Sequence, residues 1–146
     1  MPRKYNRKYN KYSVSTPEKR TEDGIVFASL LECRVYKFLR DTIGTENFEL
    51  QPKFELLPKF KDPDGNAIRA INYVADFLVK DGDREYVVDA KGAPTETFKI
   101  KAKLFKYKYK KRLYLLKNNK EMVEFASKLK HIKFKKPPEL WLQRKR

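Results

Sequence analysis

The sequence predicts an α/β domain with a mixed central sheet flanked by helices. Three observations carry this. The stretch Asn72–Gly92 reads as a β-hairpin: two arms rich in β-branched and aromatic residues, Tyr73–Val79 and Tyr86–Lys91, flank the polar cluster Lys80–Glu85 with its Asp81-Gly82 turn signal. Ser29–Arg40 and Thr97–Lys110 place apolar residues at helical spacing. Arg112–Lys117 (RLYLLK) is a short apolar run that reads as a buried strand. At 146 residues the chain fits a single domain long enough to bury a core.

The elements follow in order. Residues 1–24 are basic and polar, with Tyr5, Tyr9 and Tyr12 interleaved among Arg3, Lys4, Arg7, Lys8 and Lys11, and they show no apolar periodicity. They are expected to form a flexible arm that contacts phosphates, since tyrosine beside arginine also stacks on bases; the alternative is a solubilising tail. The domain proper is expected over 25–130. Ser29-Leu30-Leu31-Glu32 is a capping-box pattern, Leu31, Val35, Phe38 and Leu39 form the apolar stripe behind it, and Gly44 lies past its end. Cys33 reads as a small buried hydrophobe. Phe48–Leu57 alternates apolar and polar residues like a half-buried strand, and Pro52 inside it asks for an edge or a bulge. Lys61–Asn66 is a turn. Gly92–Thr95 breaks the hairpin's second arm.

In the helix that follows, Phe98, Ala102, Phe105 and Tyr109 share one face, while Lys99, Lys103, Lys106 and Lys110 line another. Every charged residue from Lys99 to Arg112 is basic. Like charges at i,i+4 destabilise a helix unless an anion neutralises them, which favours a nucleic-acid backbone. Glu121–Lys130 is expected to close the domain as a helix built on Met122, Phe125, Ala126 and Leu129. Residues 131–146 read as a basic tail, with Trp141 docking on the domain or on a partner chain. His131 sits among lysines and reads as a surface residue.

Composition sets the partner class. Lys and Arg number 35 against 19 Asp and Glu, a formal charge of +16, which implies a polyanion or an anionic membrane surface. No apolar run is long enough to span a bilayer, and the basic N-terminus lacks the apolar region of a secretory signal, so nucleic acid is the better partner and a cytoplasmic location is expected. One cysteine excludes an intrachain disulfide, and with one histidine it excludes a Cys/His zinc site. There is no GxxxxGK phosphate loop and no internal repeat.

The hairpin carries the candidate chemistry. Each arm bears an acid among apolar residues, Asp76 and Asp89. If the loop is Asp81–Arg84, Lys80 faces Glu85 and Asp76 faces Asp89, with the two carboxylates roughly 5 Å apart at Cβ and Lys91 on the same face. A two-residue Asp81-Gly82 loop sets Asp76 opposite Val87, one diagonal from Asp89; a three-residue loop turns Asp76 to the other face. Converging carboxylates repel, and Mg²⁺ or Mn²⁺ relieves that repulsion with oxygen ligands. Lys91 adds positive charge where an anionic substrate would lie. The plain alternative makes Asp76 and Asp89 solvent-facing strand residues and Lys91 a rim charge. Glu32 has two assignments: returning to the Ser29 amide as a helix cap, or reaching the hairpin as a third carboxylate.

The order helix, three strands, basic helix, strand, helix, with Glu32, Asp76 and Asp89-Ala90-Lys91, resembles the PD-(D/E)xK nuclease superfamily. Tyr73–Leu78 (YVADFL) and Val87–Gly92 (VVDAKG), with Phe27-Ala28-Ser29 leading to Glu32, look like phage Holliday-junction resolvases of the endonuclease I type, and with LQPKFEL before the hairpin the pattern is similar to a group of small phage proteins. The resemblance covers about Ile25 to Leu116. It departs at Ala75, where the superfamily has proline. It implies a restriction-endonuclease-like domain with an αβββαβ core, a metal-dependent DNA endonuclease and a homodimer on branched DNA. It also implies catalytic roles for Glu32, Asp76, Asp89 and Lys91, with Mg²⁺ held by Asp76, Asp89, the Ala90 carbonyl and Glu32. Two rivals remain: a nuclease for another DNA form, such as a nicking, end-processing or transposase-like subunit, and a non-catalytic DNA-binding protein.

Overall fold

The structure is a computed structural model and describes residues 15–144. A short 3-10 turn (Pro17–Arg20) leads into the small antiparallel pair β1 (Thr21–Glu22) and β2 (Ile25–Val26), and then α1 (Leu30–Thr42). After a second 3-10 turn come β3 (Phe48–Leu50), β4 (Lys53–Leu57), β5 (Phe60–Lys61), β6 (Ala67–Ile68), β7 (Ile71–Val74), β8 (Phe77–Asp81) and β9 (Arg84–Ala90). The chain closes with α2 (Glu96–Tyr109), β10 (Leu113–Leu116), α3 (Asn119–Ala126) and a 3-10 segment, Pro138–Gln143.

The central sheet has the order β10-β9-β8-β3, and it is mixed. β3/β8 and β8/β9 are antiparallel, and β10 returns parallel to β9 through α2. Two apolar layers cover it. On one face α1, α3 and Trp141 bury Phe77, Val79, Tyr86 and Val88; on the other α2 buries Leu78 and Val87 under Phe98, Ala102 and Phe105. The expected mixed α/β architecture is therefore present.

Local chemistry explains the helix ends. The Ser29 hydroxyl accepts the Glu32 amide at 3.0 Å and opens α1. Gly44, at φ +86°, closes it by donating to Leu39 and Arg40 carbonyls, and a side chain there would meet Glu46 and Lys135 at 2.5 Å. Thr95 caps α2 by accepting the Phe98 amide.

The hairpin register is the one in which Lys80 faces Glu85, but Asp81 and Arg84 also pair, so the loop is only Gly82-Asp83. The expected single strand Phe48–Leu57 is two. It breaks at Gln51, whose φ is +52°, and at Pro52, which has no amide to donate. The facing strand breaks at the same level, between β7 and β8. Hydrogen bonds still cross the break, from Gln51 N–H to the Asp76 carbonyl and from Ala75 N–H to the Pro52 carbonyl. The ribbon therefore stays paired but turns over. Phe77 and Val79 point into the α1 layer, whereas Tyr73 and Ala75, of the same parity, point into the α2 layer. Asp76 sits at this turnover.

Other boundaries differ from expectation. Residues 15–24, placed in a flexible arm, form a turn and a strand, with the Arg20 side chain buried and donating to the Phe27 carbonyl. Residues 1–14, which carry Arg3, Lys4, Arg7 and Lys8, lie outside the described residues. β10 is an edge strand with Leu115 exposed rather than a buried strand. α3 ends at Ala126 instead of running to Lys130, because the buried Asp81 carboxylate accepts the Lys130 and His131 amides and draws the chain off the helix axis. The predicted tail continues against the domain: Trp141 stands edge-on to Phe38 with centroids 5.4 Å apart, which answers what it docks on. Among the described residues no helix is long and apolar enough to cross a membrane.

Candidate active site

The C-terminal end of β9 and the ribbon's turnover bring the two hairpin acids together. Asp89 projects from β9 on the α2 side, 2% exposed. Its carboxylate accepts the Asp76 amide at 2.8 Å and the Tyr73 hydroxyl. Asp76 answers with its own carboxylate, which accepts the Ala90 amide at 2.8 Å. The two strands are thus clasped by reciprocal side chain-to-backbone bonds just where regular pairing between them stops.

Charge follows from this packing. Burial first, then the Asp89 carboxylate, then that of Glu32 push Asp76 up to about 8 from an ordinary 3.8. Burial and Asp89 also raise the Tyr73 phenol, which keeps its proton and donates it to Asp89.

Glu32 enters from the opposite layer, on the first turn of α1, and is 7% exposed. Its carboxylate accepts the Ala28 amide at 3.3 Å rather than the Ser29 amide that a capping box would use. It stands in the field of both Asp89 and Lys91. Burial and Asp89 raise its pKa, while the Ala28 amide and Lys91 oppose the rise. Lys91 continues past β9, its ammonium 4.9 Å from the centre of the Phe98 ring on α2. Three carboxyls from two layers and one ammonium therefore face one end of the sheet.

The family model described as "Protein of unknown function (DUF1064)" matches residues 8–135. The chain belongs to the DUF1064 family. No curated protein and no solved structure matches it.

In this DUF1064 chain the donor set suits a hard divalent cation in part. Asp76 and Asp89 are juxtaposed oxygen donors whose mutual repulsion a cation relieves. Glu32 is near them electrostatically but is tied to Ala28, and among the described residues no three Asp, Glu, His or Cys side chains come together closely enough to hold one ion. The pair is thus formed, and the third carboxylate approaches it without joining it.

The lysines expected to meet nucleic acid are exposed on α2 and at its C-terminal cap. Lys99 is paired with Glu96 at 3.1 Å, and the Lys110 ammonium lies over the Tyr107 ring. Between them an apolar row, Ile100, Leu104 and Tyr107, also faces outward. The α2 surface is therefore mixed rather than purely basic.

Sequence reasoning missed Tyr73 and the Gln51-Pro52 kink. A tyrosine on the buried face of a strand needs an acceptor for its hydroxyl, and Asp89 is the acid on the partner arm, so the first was accessible. The kink was not, because a non-glycine residue at positive φ leaves little trace in one sequence.

Proposed function

We propose that this chain is a metal-dependent DNA endonuclease that hydrolyses phosphodiester bonds. Branched DNA is its preferred substrate, cut by a homodimer, because two coordinated nicks need two sites related by a two-fold axis. The observation that carries the reading is the Asp76–Asp89 pair, clasped by reciprocal side chain-to-backbone hydrogen bonds, with Lys91 two residues past Asp89 on the same arm. A non-catalytic DNA binder gains nothing from carboxylates placed where phosphates approach. Further support comes from the resemblance of D…DAK after a glutamate-bearing helix to the PD-(D/E)xK nucleases.

Asp76, Asp89, Glu32 and the Ala90 carbonyl are the groups that would hold Mg²⁺ or Mn²⁺. When bound, such a cation lowers the pKa of the attacking water and neutralises charge on the phosphodiester. The chain's own residues prepare this. Tyr73 and the Asp76 amide fix the Asp89 carboxylate. Burial and the Asp89 and Glu32 carboxyls favour the protonated form of Asp76, and a bound cation would favour its carboxylate. Lys91, steadied against Phe98, attracts the phosphodiester, orients the attacking water and offsets the negative charge that builds in the transition state. A charge of +16 draws DNA in without reading its bases.

The test is incubation of the full chain with labelled four-way junction, flap, duplex and single-stranded DNA, with Mg²⁺ and with EDTA. Cleavage of the junction that needs Mg²⁺ and is lost in Asp76→Asn, while binding persists, is the expected result. Cleavage by the Asp76→Asn and Lys91→Ala variants at the wild-type rate would overturn the assignment.

A further inference from the structure

At the other end of β9 from the acid pair, a cleft of about 630 Å³ opens between the hairpin turn, the start of β10 and the segment after α3. Arg84, Lys111, Arg112, Lys128 and Lys130 line it, with a single acid, Glu85. Tyr86 and Tyr114 form its floor, packed on each other and on Phe125, and Ser127 lies on its wall.

What sets the cleft apart is convergence: five cations from three chain segments line one concavity beside a single carboxylate. Lys37, Arg40, Lys80, Lys108 and Lys135 each stand within 4 Å of a carboxylate. In the cleft Glu85 pairs with Lys111 at 3.3 Å. Arg84, Arg112 and Lys128 have no carboxylate within that distance among the described residues, and Lys130 turns to the Ser127 carbonyl.

The crowding is built rather than incidental. Asp81, fully buried, accepts the Lys130 amide at 2.9 Å and the His131 amide at 2.7 Å. Those bonds hold the segment after α3 against the turn that presents Arg84. Gly82 at φ +62° permits the tight turn, and a side chain there would meet the His131 ring at 3.2 Å. Three separate chain segments are thus fixed with their cations around one concavity, at a cost in mutual repulsion that the one carboxylate, Glu85, offsets only in part.

We propose that this cleft binds the phosphodiester backbone of a DNA strand, as a second anchoring point distinct from the Asp76–Asp89 site. The naming of the polyanion as DNA rests on the proposed function; the anion site itself does not. Its volume exceeds what one phosphate needs, and its arginines suit phosphate oxygens in bidentate fashion. Along β9 it lies about 15 Å from the acid pair, and its tyrosine floor belongs to the α3 layer while Asp89 projects on the α2 side, so a strand meeting both passes around the end or edge of the sheet.

The experiment compares Arg84→Ala/Arg112→Ala with Lys37→Ala/Lys80→Ala, which removes the same charge from paired lysines outside the cleft. Binding of a fluorescent DNA duplex is measured in EDTA over a range of salt, so that no cleavage is involved. The cleft variant should weaken binding roughly tenfold and reduce the salt slope by about 2, with the control much less affected and the melting temperature of the cleft variant not lowered. Equal losses in both variants would mean that net charge alone acts, and the proposal falls. Loss of polyglutamate binding with DNA binding intact would also overturn it, in favour of an acidic protein. If wild type cuts no DNA with Mg²⁺ yet the cleft variant still loses DNA affinity selectively, the cleft stands and the endonuclease reading fails.

Discussion

Replacing Asp76 by asparagine should stabilise the metal-free protein, and by more as pH rises. Asp76 is held at about 8 against an ordinary 3.8. A carboxyl whose pKa is raised on folding binds its proton more tightly in the folded state. Its contribution is fully present below pH 3.8 and is lost as pH climbs through 8. At pH 7 roughly three units separate neutrality from the ordinary value, at about 1.4 kcal/mol each, so wild type gives up at most about 4 kcal/mol. Asp76 is only half-buried, so water relaxes part of this and the figure is a ceiling. The asparagine side chain cannot ionise and keeps an oxygen for the Ala90 amide. Urea titrations of both proteins in EDTA at about pH 4, 5.5 and 7 should show a gap that opens from near zero. Adding Mg²⁺ at neutral pH should stabilise wild type and leave the variant unmoved. A gap of the same size at the acidic and neutral ends would refute the reasoning, since only the titrating carboxyl makes it grow.

Other outcomes follow from the same geometry. Lys91→Ala should lower cleavage by about 10²–10³-fold with little loss of DNA affinity, read by single-turnover kinetics beside an electrophoretic binding assay. Tyr73→Phe deprives buried Asp89 of a donor and should cost about 1–2 kcal/mol in urea unfolding; wild-type stability would mean that the hydroxyl is not engaged. Trp141→Ala empties the site against Phe38 and should destabilise by about 3–5 kcal/mol, whereas a terminal tail free of the domain would show no change. Gly44→Ala forces a side chain into positive φ against Glu46 and Lys135, and should lower stability by about 1–2 kcal/mol on thermal melting.

Much of the frame was legible because its signals are local. The Ser29 cap, the α1 stripe and the hairpin register follow from cap chemistry, helical period and strand alternation, and each recurs in the structure. The pairing of Asp76 with Asp89 followed from that register. The signals that failed are non-local. Phe48–Leu57 has one unbroken alternation, yet serves two layers, because the turnover at Gln51 reverses the ribbon without changing its register. The alternation of Tyr73, Ala75, Phe77 and Val79 hides the same reversal. The fate of Glu32 was open for a similar reason: helix capping accounts for its burial in sequence terms, but its carboxylate settles on Ala28, one residue earlier, within reach of the fields of Asp89 and Lys91. The tail beyond His131 looked like a charged terminus because Asp81, the residue that anchors it, reads as part of a turn.

The two ends of β9 present opposite electrostatic problems. At one end Asp76, Asp89 and Glu32 crowd carboxyls together, and burial raises the pKa of Asp76 and of Glu32. At the other, cations from three segments crowd around a single acid. Nothing in the core requires either arrangement. Val87 and Val88, between them, already supply the apolar contacts that hold the strand in both layers. A sequence shaped for stability alone would exchange charges between the ends, or remove them, because unneutralised groups at fixed positions oppose folding. The proposed ligands would relieve both ends: a divalent cation at the carboxyls, and a nucleic-acid strand with phosphates at the arginines. On this view strand β9 sets the distance between holding a strand and cutting it. Lengthening the hairpin by two residues in each arm, which preserves the facing of every side chain, should therefore move the cleavage position along the strand and leave Mg²⁺ binding intact.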